Sequence, residues 1–473
     1  MTGKKPRGEP TAGTLQAYRY ALNPTPAQVR DLRSHAGAAR FAYNWGLARV
    51  KANLDQRAAE ATYGIGKDDL IPHVGWSAYT LRRDWNTAKS TVAPWWADNS
   101  KEAYANGLAN LAQALTNWNN SRKGTRKGRR VAFPKFKARD KTVPAFRYTT
   151  GTLRVDGMHA ILPRMGRIKL HENASALADK VADGTTRILS ATVRYTRGRW
   201  HVAFTCDVTR TPRTPTEPGA VVGVDLGIKT LAVLSTGEVI ENPKHLKAAT
   251  RKLKRLQRAV SRRQGPYDTA ARRRRTPSAR WVRASTALAS AHGRVADLRS
   301  DGIHKMTTRI ARKYGTVVVE DLNVAGMLTN HRLARAVADA SFGEIRRQLT
   351  YKTAWNGGAL IIADRWFPSS KTCSGCGAVK TKLRLSTRSY ACTACGVVVD
   401  RDVNAAANLA AYGRLVAGSG SETVNGCGAG RKTSPSGAAA GCEALYPAPL
   451  SAGQTGTASP QGAATSQVSA HAH

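Results

Sequence analysis

Apolar and polar residues change rhythm several times along this chain, and each change predicts an element. Residues 15–22 alternate as a strand and are stopped by Asn23-Pro24. Thr25-Pro26 follow as an N-cap and an N1 proline for a helix running towards Ser34. A separate helix is predicted over 39–54, carrying Phe41, Tyr43, Trp45 and Leu47. Helical spacing continues to about residue 120. A helix opening near Asn99-Ser100 places Tyr104, Leu108, Leu111, Leu115 and Trp118 on one face at 4-3-4-3 spacing, a core stripe rather than a platform for bases. From 152 to about 208 the rhythm is that of strands. Runs at 153–155 and 160–162 flank Gly157, and 188–195 and 200–206 alternate on either side of Arg197-Gly198 as a hairpin that carries Cys206 as a buried structural thiol. A proline-rich stretch, 211–218, is a stiff linker.

The pattern then becomes that of a buried sheet. Residues 221–224 form an apolar run ending in Asp225, Gly227 marks a turn, and 231–234 and 239–240 continue a meander around Gly237. Residues 245–312 read as a long basic helical region in which Leu253, Leu256 and Val260 keep an apolar stripe and Gly265-Pro266 marks the bend of a helical hairpin. Val317-Val318-Val319-Glu320 repeats the theme of a β-branched run ending in an acid. A helix over 342–355, a strand over 360–363 and an Ala-rich helix over 402–412 follow. Residues 1–13 and 416–473 read as a disordered leader and tail.

Composition turns this outline towards a partner. The 473 residues suit two to four domains, and 74 Lys and Arg against 31 Asp and Glu give a formal net charge of +43. That is far more than solubility requires and calls for a polyanion. Nucleic acid fits better than an anionic membrane, because no run of 18 apolar residues exists and the polar first ten residues have no apolar core. A cytoplasmic, nucleoid-associated protein with no membrane partner is expected. Between Arg251 and Arg283 stand thirteen Lys and Arg and one acid, Asp268. Lys252, Arg255, Arg262 and Arg263 of this stretch are candidates for gripping a nucleic-acid duplex. A second candidate is the Gly-punctuated run with Arg126, Lys127, Arg129, Arg130, Lys135 and Lys137, where cations would neutralise phosphates while Phe133 and Phe136 stack on bases.

Two constellations carry chemistry. Cys373-Ser374-Gly375-Cys376 and, fifteen residues later, Cys392-Thr393-Ala394-Cys395 are a pair of knuckles that aim four thiolates at one tetrahedral Zn²⁺. Four thiolates leave no position for a water, so this zinc folds a ribbon and does not catalyse. Cys427 and Cys442 lack paired spacing and belong to no site. The acids are the second constellation. Asp225 and Glu320 each end a strand, and Asp400-Arg401-Asp402 follow Val397-Val398-Val399. Singly, each reads as readily as a turn or capping residue. Together, at one edge of one sheet, three carboxylates suit two Mg²⁺ ions roughly 3.5–4 Å apart, one activating water and the other stabilising the leaving oxygen of a phosphodiester. On these grounds Asp400 and Asp402 are equivalent.

Gly223-Val224-Asp225-Leu226-Gly227, Val319-Glu320-Asp321-Leu322-Asn323, Ser369-Ser370-Lys371-Thr372-Cys373-Ser374-Gly375-Cys376-Gly377 and Asp400-Arg401-Asp402-Val403-Asn404-Ala405-Ala406-Ala407-Asn408 together resemble the motifs of the TnpB family. These are OrfB-type, transposon-encoded RNA-guided nucleases related to type V CRISPR effectors. Tyr20-Ala21-Leu22-Asn23-Pro24-Thr25 with Gln28, and Phe133-Pro134-Lys135-Phe136-Lys137, are similar to the family's N-terminal half, so the resemblance spans about 15–415. It implies a multidomain α/β and α+β chain: an RNase H-like (RuvC) nuclease with a zinc-ribbon insertion, and an N-terminal β-barrel wedge interrupted by a helical recognition domain. In those terms 14–24 is the first wedge strand, 25–125 the recognition helices and 126–217 the rest of the wedge. Residues 218–370 are then the first part of the nuclease with its basic hairpin, 371–398 the ribbon and 399–415 the second nuclease part. The resemblance further implies Asp225, Glu320 and Asp402 as the catalytic, Mg²⁺-binding acids, a guide RNA from the transposon end, double-stranded target DNA as substrate, and a monomer. A nuclease-silent RNA-guided repressor and a transposase acting on transposon ends are the alternatives. The complete acid set opposes the first, and a ribbon placed just before the third acid opposes the second.

Overall fold

A computed structural model of the chain describes residues 13–149, 152–211, 213–269, 273–274, 277–384 and 386–418. The predicted leader and tail lie almost entirely outside the described residues, as do Cys427 and Cys442. The N-terminal half runs β1 (Thr14–Ala21), α1 (Pro26–Thr62), α2 (Ala78–Val92), α3 (Lys101–Arg122), β2 (Ala145–Tyr148), β3 (Arg154–Asp156), β4 (His159–Leu162), β5 (Gly166–Lys169), α4 (Ser175–Ala182), β6 (Thr186–Thr196) and β7 (Arg199–Val208). One antiparallel sheet has the order β1-β7-β6-β2, a second the order β3-β4-β5. The predicted hairpin is present, with β6 and β7 paired down to Thr196 and Arg199. The two sheets share an apolar core that includes Phe146, Leu162, Ile168 and Phe204, and an isolated bridge from Leu22 to Leu170 joins them. Among the described residues, strand pairing does not close them into one ring. Cys206 is fully buried on β7, and burial pushes its thiol up to about 11, as suits a structural cysteine.

The helices α1 to α3 fall between β1 and β2, so they are an insertion within the first sheet. Thr25 caps α1 in a capping box with Gln28, as its sequence position suggests. The expected division into two helices is absent: α1 is a single helix of 37 residues. Packing carries it through Gly37. At Gly107, α3 presses on α1 so closely that a Cβ would stand 2.1 Å from the carbonyl oxygen of Ala39. Tertiary contact therefore overrides the weak helical propensity of Ser34 and Gly37. The stripe on α3 is core as predicted, with Tyr104, Leu108, Leu111 and Leu115 buried, and Trp118 half-buried and edge-on to Phe133.

The C-terminal half runs β8 (Glu217–Leu226), β9 (Thr230–Leu234), β10 (Val239–Glu241), α5 (His245–Arg262), β11 (Tyr267–Asp268), β12 (Arg273–Arg274), α6 (Ala279–Lys313), β13 (Tyr314–Glu320), α7 (Val324–Thr329), α8 (Ala334–Ala340), α9 (Phe342–Trp355), β14 (Ala359–Ala363), β15 (Ser389–Ala391), β16 (Val398–Asp400) and α10 (Arg401–Gly418). Its main sheet has the order β10-β9-β8-β13-β14. The first three strands form the expected antiparallel meander, and β13 runs parallel to both β8 and β14. Side chains alternate between two covered faces. Val222 and Val224 pack with Ile303, Met306, Ile310, Phe342 and Ile345 of α6 and α9, while Val221 and Val318 pack with Leu409 and Tyr412 of α10. The basic hairpin is present as α5 and α6, with a bend longer than Gly265-Pro266 that contains the short pair β11 and β12. The short helices α4, α7 and α8 have no counterpart in the elements predicted above. Among the described residues no helix is long and apolar enough to cross a membrane.

Candidate active site and nucleic-acid interface

Period-two alternation puts Asp225 on the same face of β8 as Val221 and Gly223, and Glu320 on the same face of β13 as Val318. This is the face α10 covers. Val224 pairs with Val319, so the two acids follow side by side at the carboxyl ends of adjacent parallel strands. The first turn of α10 carries Asp402. That helix can lie against β8 because Gly223 has no side chain: a Cβ there would stand 2.0 Å from the Ala406 carbonyl oxygen and 2.6 Å from the Ala410 nitrogen. Three segments far apart in sequence thus bring acids together. Burial first, then the charges of Glu320 and Asp402, push the Asp225 carboxyl up to about 7, while Arg401 pulls the other way.

The two acids that sequence left equivalent now differ. Asp400 Oδ1 accepts hydrogen bonds from the backbone N–H groups of Asp402 (2.9 Å) and Val403 (3.1 Å), which makes Asp400 the cap of α10. Glu320 Oε1 accepts the hydroxyl of Ser369. Its neighbour Asp321 accepts from Arg346 (2.6 Å) and Arg365 (2.5 Å). Burial raises the pKa of Asp321, but the two guanidiniums more than offset this and hold it below the usual range. The acid cluster is open. Among the described residues, the only group of three or more His, Cys, Asp or Glu side chains with every ligand atom within 4.8 Å of the others is the cysteine set.

That set is Cys373, Cys376, Cys392 and Cys395. Two of its sulfur pairs, Cys373–Cys395 and Cys376–Cys392, are each 3.6 Å apart. The first knuckle precedes β15 and the second is the turn that joins β15 to β16, with Tyr390 buried and its hydroxyl donating to the Lys371 carbonyl (3.0 Å). Backbone N–H groups of Cys395 and Ala394 pull the Cys392 thiol down. At Cys376 the pull of the Ala378 N–H is outweighed by hydrogen bonds with the neighbouring sulfurs, chiefly Cys395, and the pKa rises, so the four sulfurs share their protons unevenly.

Of the predicted nucleic-acid contacts, Lys252, Arg255, Arg262 and Arg263 are exposed on or just after α5, with Leu253 on its buried side, and none forms an ion pair with a described residue. Lys127, Arg129, Arg130 and Lys135 are exposed on an irregular loop after α3. Arg126 turns back onto the carbonyls of its own loop. Lys137 is folded inward, its ammonium 3.8 Å from the centre of the Tyr43 ring, and burial lowers its pKa to about 8. Phe136 is exposed, whereas Phe133 is packed on Trp118. Cations also meet where the two halves join, around a cavity of about 260 Å³ lined by Lys180, Arg210, Arg213, Arg312 and Lys352.

Sequence comparison agrees with this assembly. The family profile described as "Probable transposase" (OrfB/IS605) matches residues 203–331, and the profile "Cas12f1-like, TNB domain" matches 342–409. A third, described as "Helix-turn-helix domain", matches 14–58, where the structure has β1 and the unbroken α1. A Mycobacterium tuberculosis (strain H37Rv) protein named "Putative RNA-guided DNA endonuclease" is 38% identical over 458 residues, spanning 92% of this chain and 94% of its own. The chain belongs to the TnpB (OrfB/IS605) family. A further TnpB-type match, the Escherichia coli (strain K12) protein "Putative RNA-guided DNA endonuclease InsQ", is 28% identical across 87% of this chain and 96% of its own. A solved Cas12f1–sgRNA–target DNA complex aligns at a TM-score of 0.43 and 13% identity over 84% of this chain and 99% of that one, a likeness too slight to argue from.

Ser369, Asn404 and Asn408 stand in the motifs quoted above, but sequence reasoning gave them no role; all three are buried polar residues, and Ser369 touches Glu320. The spacing of the two asparagines, one helical turn apart within an Ala-rich helix, was the available signal. It also passed over Trp366, which is 85% exposed in the loop between β14 and Ser369.

Proposed function

We propose that this TnpB-family chain is a transposon-encoded, RNA-guided endonuclease that hydrolyses double-stranded target DNA at a Mg²⁺-dependent RuvC site. The observation that carries the reading is the meeting of Asp225, Glu320 and Asp402 at the carboxyl edge of one sheet. The donor set fits the ion. It consists of hard carboxylate oxygens, and Asp225 among them is driven to hold a proton first by burial and then by the charges of Glu320 and Asp402, a repulsion that a divalent cation relieves. Mg²⁺ bound there would supply Lewis acidity for the attacking water and the leaving oxygen. Asp225, Glu320 and Asp402 would hold it, with Ser369 orienting Glu320 and Arg346 and Arg365 keeping Asp321 out of the ligand set.

In this reading the two N-terminal sheets, 14–24 and 126–217, are the wedge, and the inserted helices 25–125 the recognition domain. Residues 218–370 and 399–415 are the RNase H-like nuclease, and 371–398 a ribbon closed on structural Zn²⁺. Guide RNA, derived from the transposon end, pairs with one target strand, and a protein of this kind holds the heteroduplex by its backbone rather than its sequence. The exposed cations of α5 and the loop after α3 supply those phosphate contacts. The protein acts as a monomer on the nucleoid.

The test is direct. Expressed with its native flanking DNA, the protein should co-purify with one defined RNA, and the complex should cut a duplex matching that RNA only with Mg²⁺ present. Absence of a defined RNA overturns the guided reading, and programmed binding without cutting supports a repressor.

A further inference from the structure

Ser369, Asn404 and Asn408 are polar side chains with 3%, 0% and 5% exposure. Such groups are stable inside a protein only when hydrogen-bonded, and here each is. Asn408 Nδ2 donates to the backbone carbonyls of Ser369 (2.8 Å) and Thr372 (2.7 Å). Asn404 Nδ2 donates to the Thr372 carbonyl (2.6 Å), and its Oδ1 accepts the Ser374 N–H (2.9 Å). One turn apart on α10, the two amides grip residues 369–374. That segment has Cys373 near one end and Ser369 at the other. Both asparagines reach backbone atoms only, so they would dock α10 on the ribbon whatever side chain stood at 369. The Ser369 hydroxyl is left over from that docking, and it donates to Glu320 Oε1.

We propose that Ser369 is a positioning residue for the acid cluster: held in place by Asn404 and Asn408, it fixes the Glu320 carboxylate for a divalent cation, and through it the cysteine ribbon sets the shape of the active site. The inference rests on the nuclease reading for what the acids do. With one oxygen of Glu320 engaged by the hydroxyl, the carboxylate has less freedom to turn, and its other oxygen remains for a cation shared with Asp225 and Asp402, whose charges it already feels. Partners of metal-ligating side chains that act this way typically change metal affinity about 10–100-fold when removed. The helix that delivers Asp402 is the same one that holds Ser369, so one element aligns two acids that belong to different parts of the fold.

The experiment compares Ser369→Ala with Ser369→Thr in the full chain. Mn²⁺ binding to protein stripped of nucleic acid is followed by electron paramagnetic resonance, with Asp225→Ala as the blank. Zinc content, melting temperature and binding of guide-matched DNA in EDTA are measured alongside. Ser369→Ala is expected to keep its zinc, its melting temperature and its DNA binding, but to bind Mn²⁺ about 10–100-fold more weakly and to need correspondingly more Mn²⁺ to cut. Ser369→Thr should restore both. An unchanged Mn²⁺ titration in Ser369→Ala overturns the proposal, as does a weakening accompanied by lost zinc or a lowered melting temperature, which would make Ser369 merely structural. The titration does not depend on cleavage. A wild-type protein that fails to cut matched DNA would overturn the nuclease reading while this inference is judged on Mn²⁺ binding alone.

Discussion

The four cysteine sulfurs and the three acids are both sets of groups that repel one another when ionised, assembled in opposite ways. The cysteines come from two short turns, one ahead of a small β-pair and one joining its strands, and their sulfurs all lie within 4.8 Å of each other. The acids come from β8, β13 and α10 and meet only after a five-stranded sheet has formed and a helix has crossed it at Gly223. A closed set encloses one ion and holds shape; an open set leaves room for water and a phosphate oxygen. Closure suits a scaffold and openness suits chemistry.

Removing one member from each cluster should give unequal results. Asp225→Ala should lower cleavage of guide-matched DNA by about 10³-fold or more, the scale of losing several kcal/mol of charge stabilisation, with the co-purified RNA unchanged. A fall of tenfold or less in single-turnover assays would move the chemistry elsewhere. Cys373→Ser should release zinc and lower cleavage less, by about 10–100-fold, because the ribbon acts only by placing other groups. Zinc analysis paired with the same assay checks this, and full activity without zinc would dissolve the link between the clusters.

Two smaller effects sharpen the contrast between site and surface. Changing Lys252, Arg255, Arg262 and Arg263 to Ala should weaken nucleic-acid binding across all sequences. It should also reduce the slope of log K against log salt by about 0.9 for each duplex phosphate that is no longer neutralised. Filter binding from low to moderate salt measures it, and an unchanged slope would clear α5 of any part in holding phosphates. The smallest effect is on stability. In EDTA, the Asp225 carboxyl holds its proton up to about 7 in the fold but ionises near 3.8 in the unfolded chain. Its contribution therefore favours the fold at acid pH and is lost as pH rises through 7. The melting temperature of wild type relative to Asp225→Asn should fall between pH 5 and 8, and a constant difference would show that the carboxyl titrates normally.

Legibility in the sequence followed the same divide. The ribbon was readable because its ligands are neighbours in the chain and their spacing is itself the geometry. Asp225 and Glu320 were readable one step less directly, since each ends an apolar run and parallel register brings such ends together. Between Asp400 and Asp402 the residue pattern alone could not choose and the family resemblance favoured the second; the capping role of Asp400 at the start of α10 is a matter of hydrogen bonds that composition does not encode. The single α1 was missed because packing at Gly107, not local propensity, sustains it. Lys137 illustrates the limit for charge: a basic run shows that cations are present, not that each faces outward, and this one lies over Tyr43.

The late position of α10 has a bearing on biosynthesis. Every strand of the main sheet precedes it in the chain, so a ribosome can finish the two N-terminal sheets, their inserted helices, the basic hairpin and two of the three acids before the last helix exists. A polypeptide stopped before Arg401 would keep the surfaces proposed to grip nucleic acid and lack the helix that completes the proposed cutting centre. Nascent and truncated chains would thus be inert by construction, and a truncated one would compete with the finished enzyme for the same RNA.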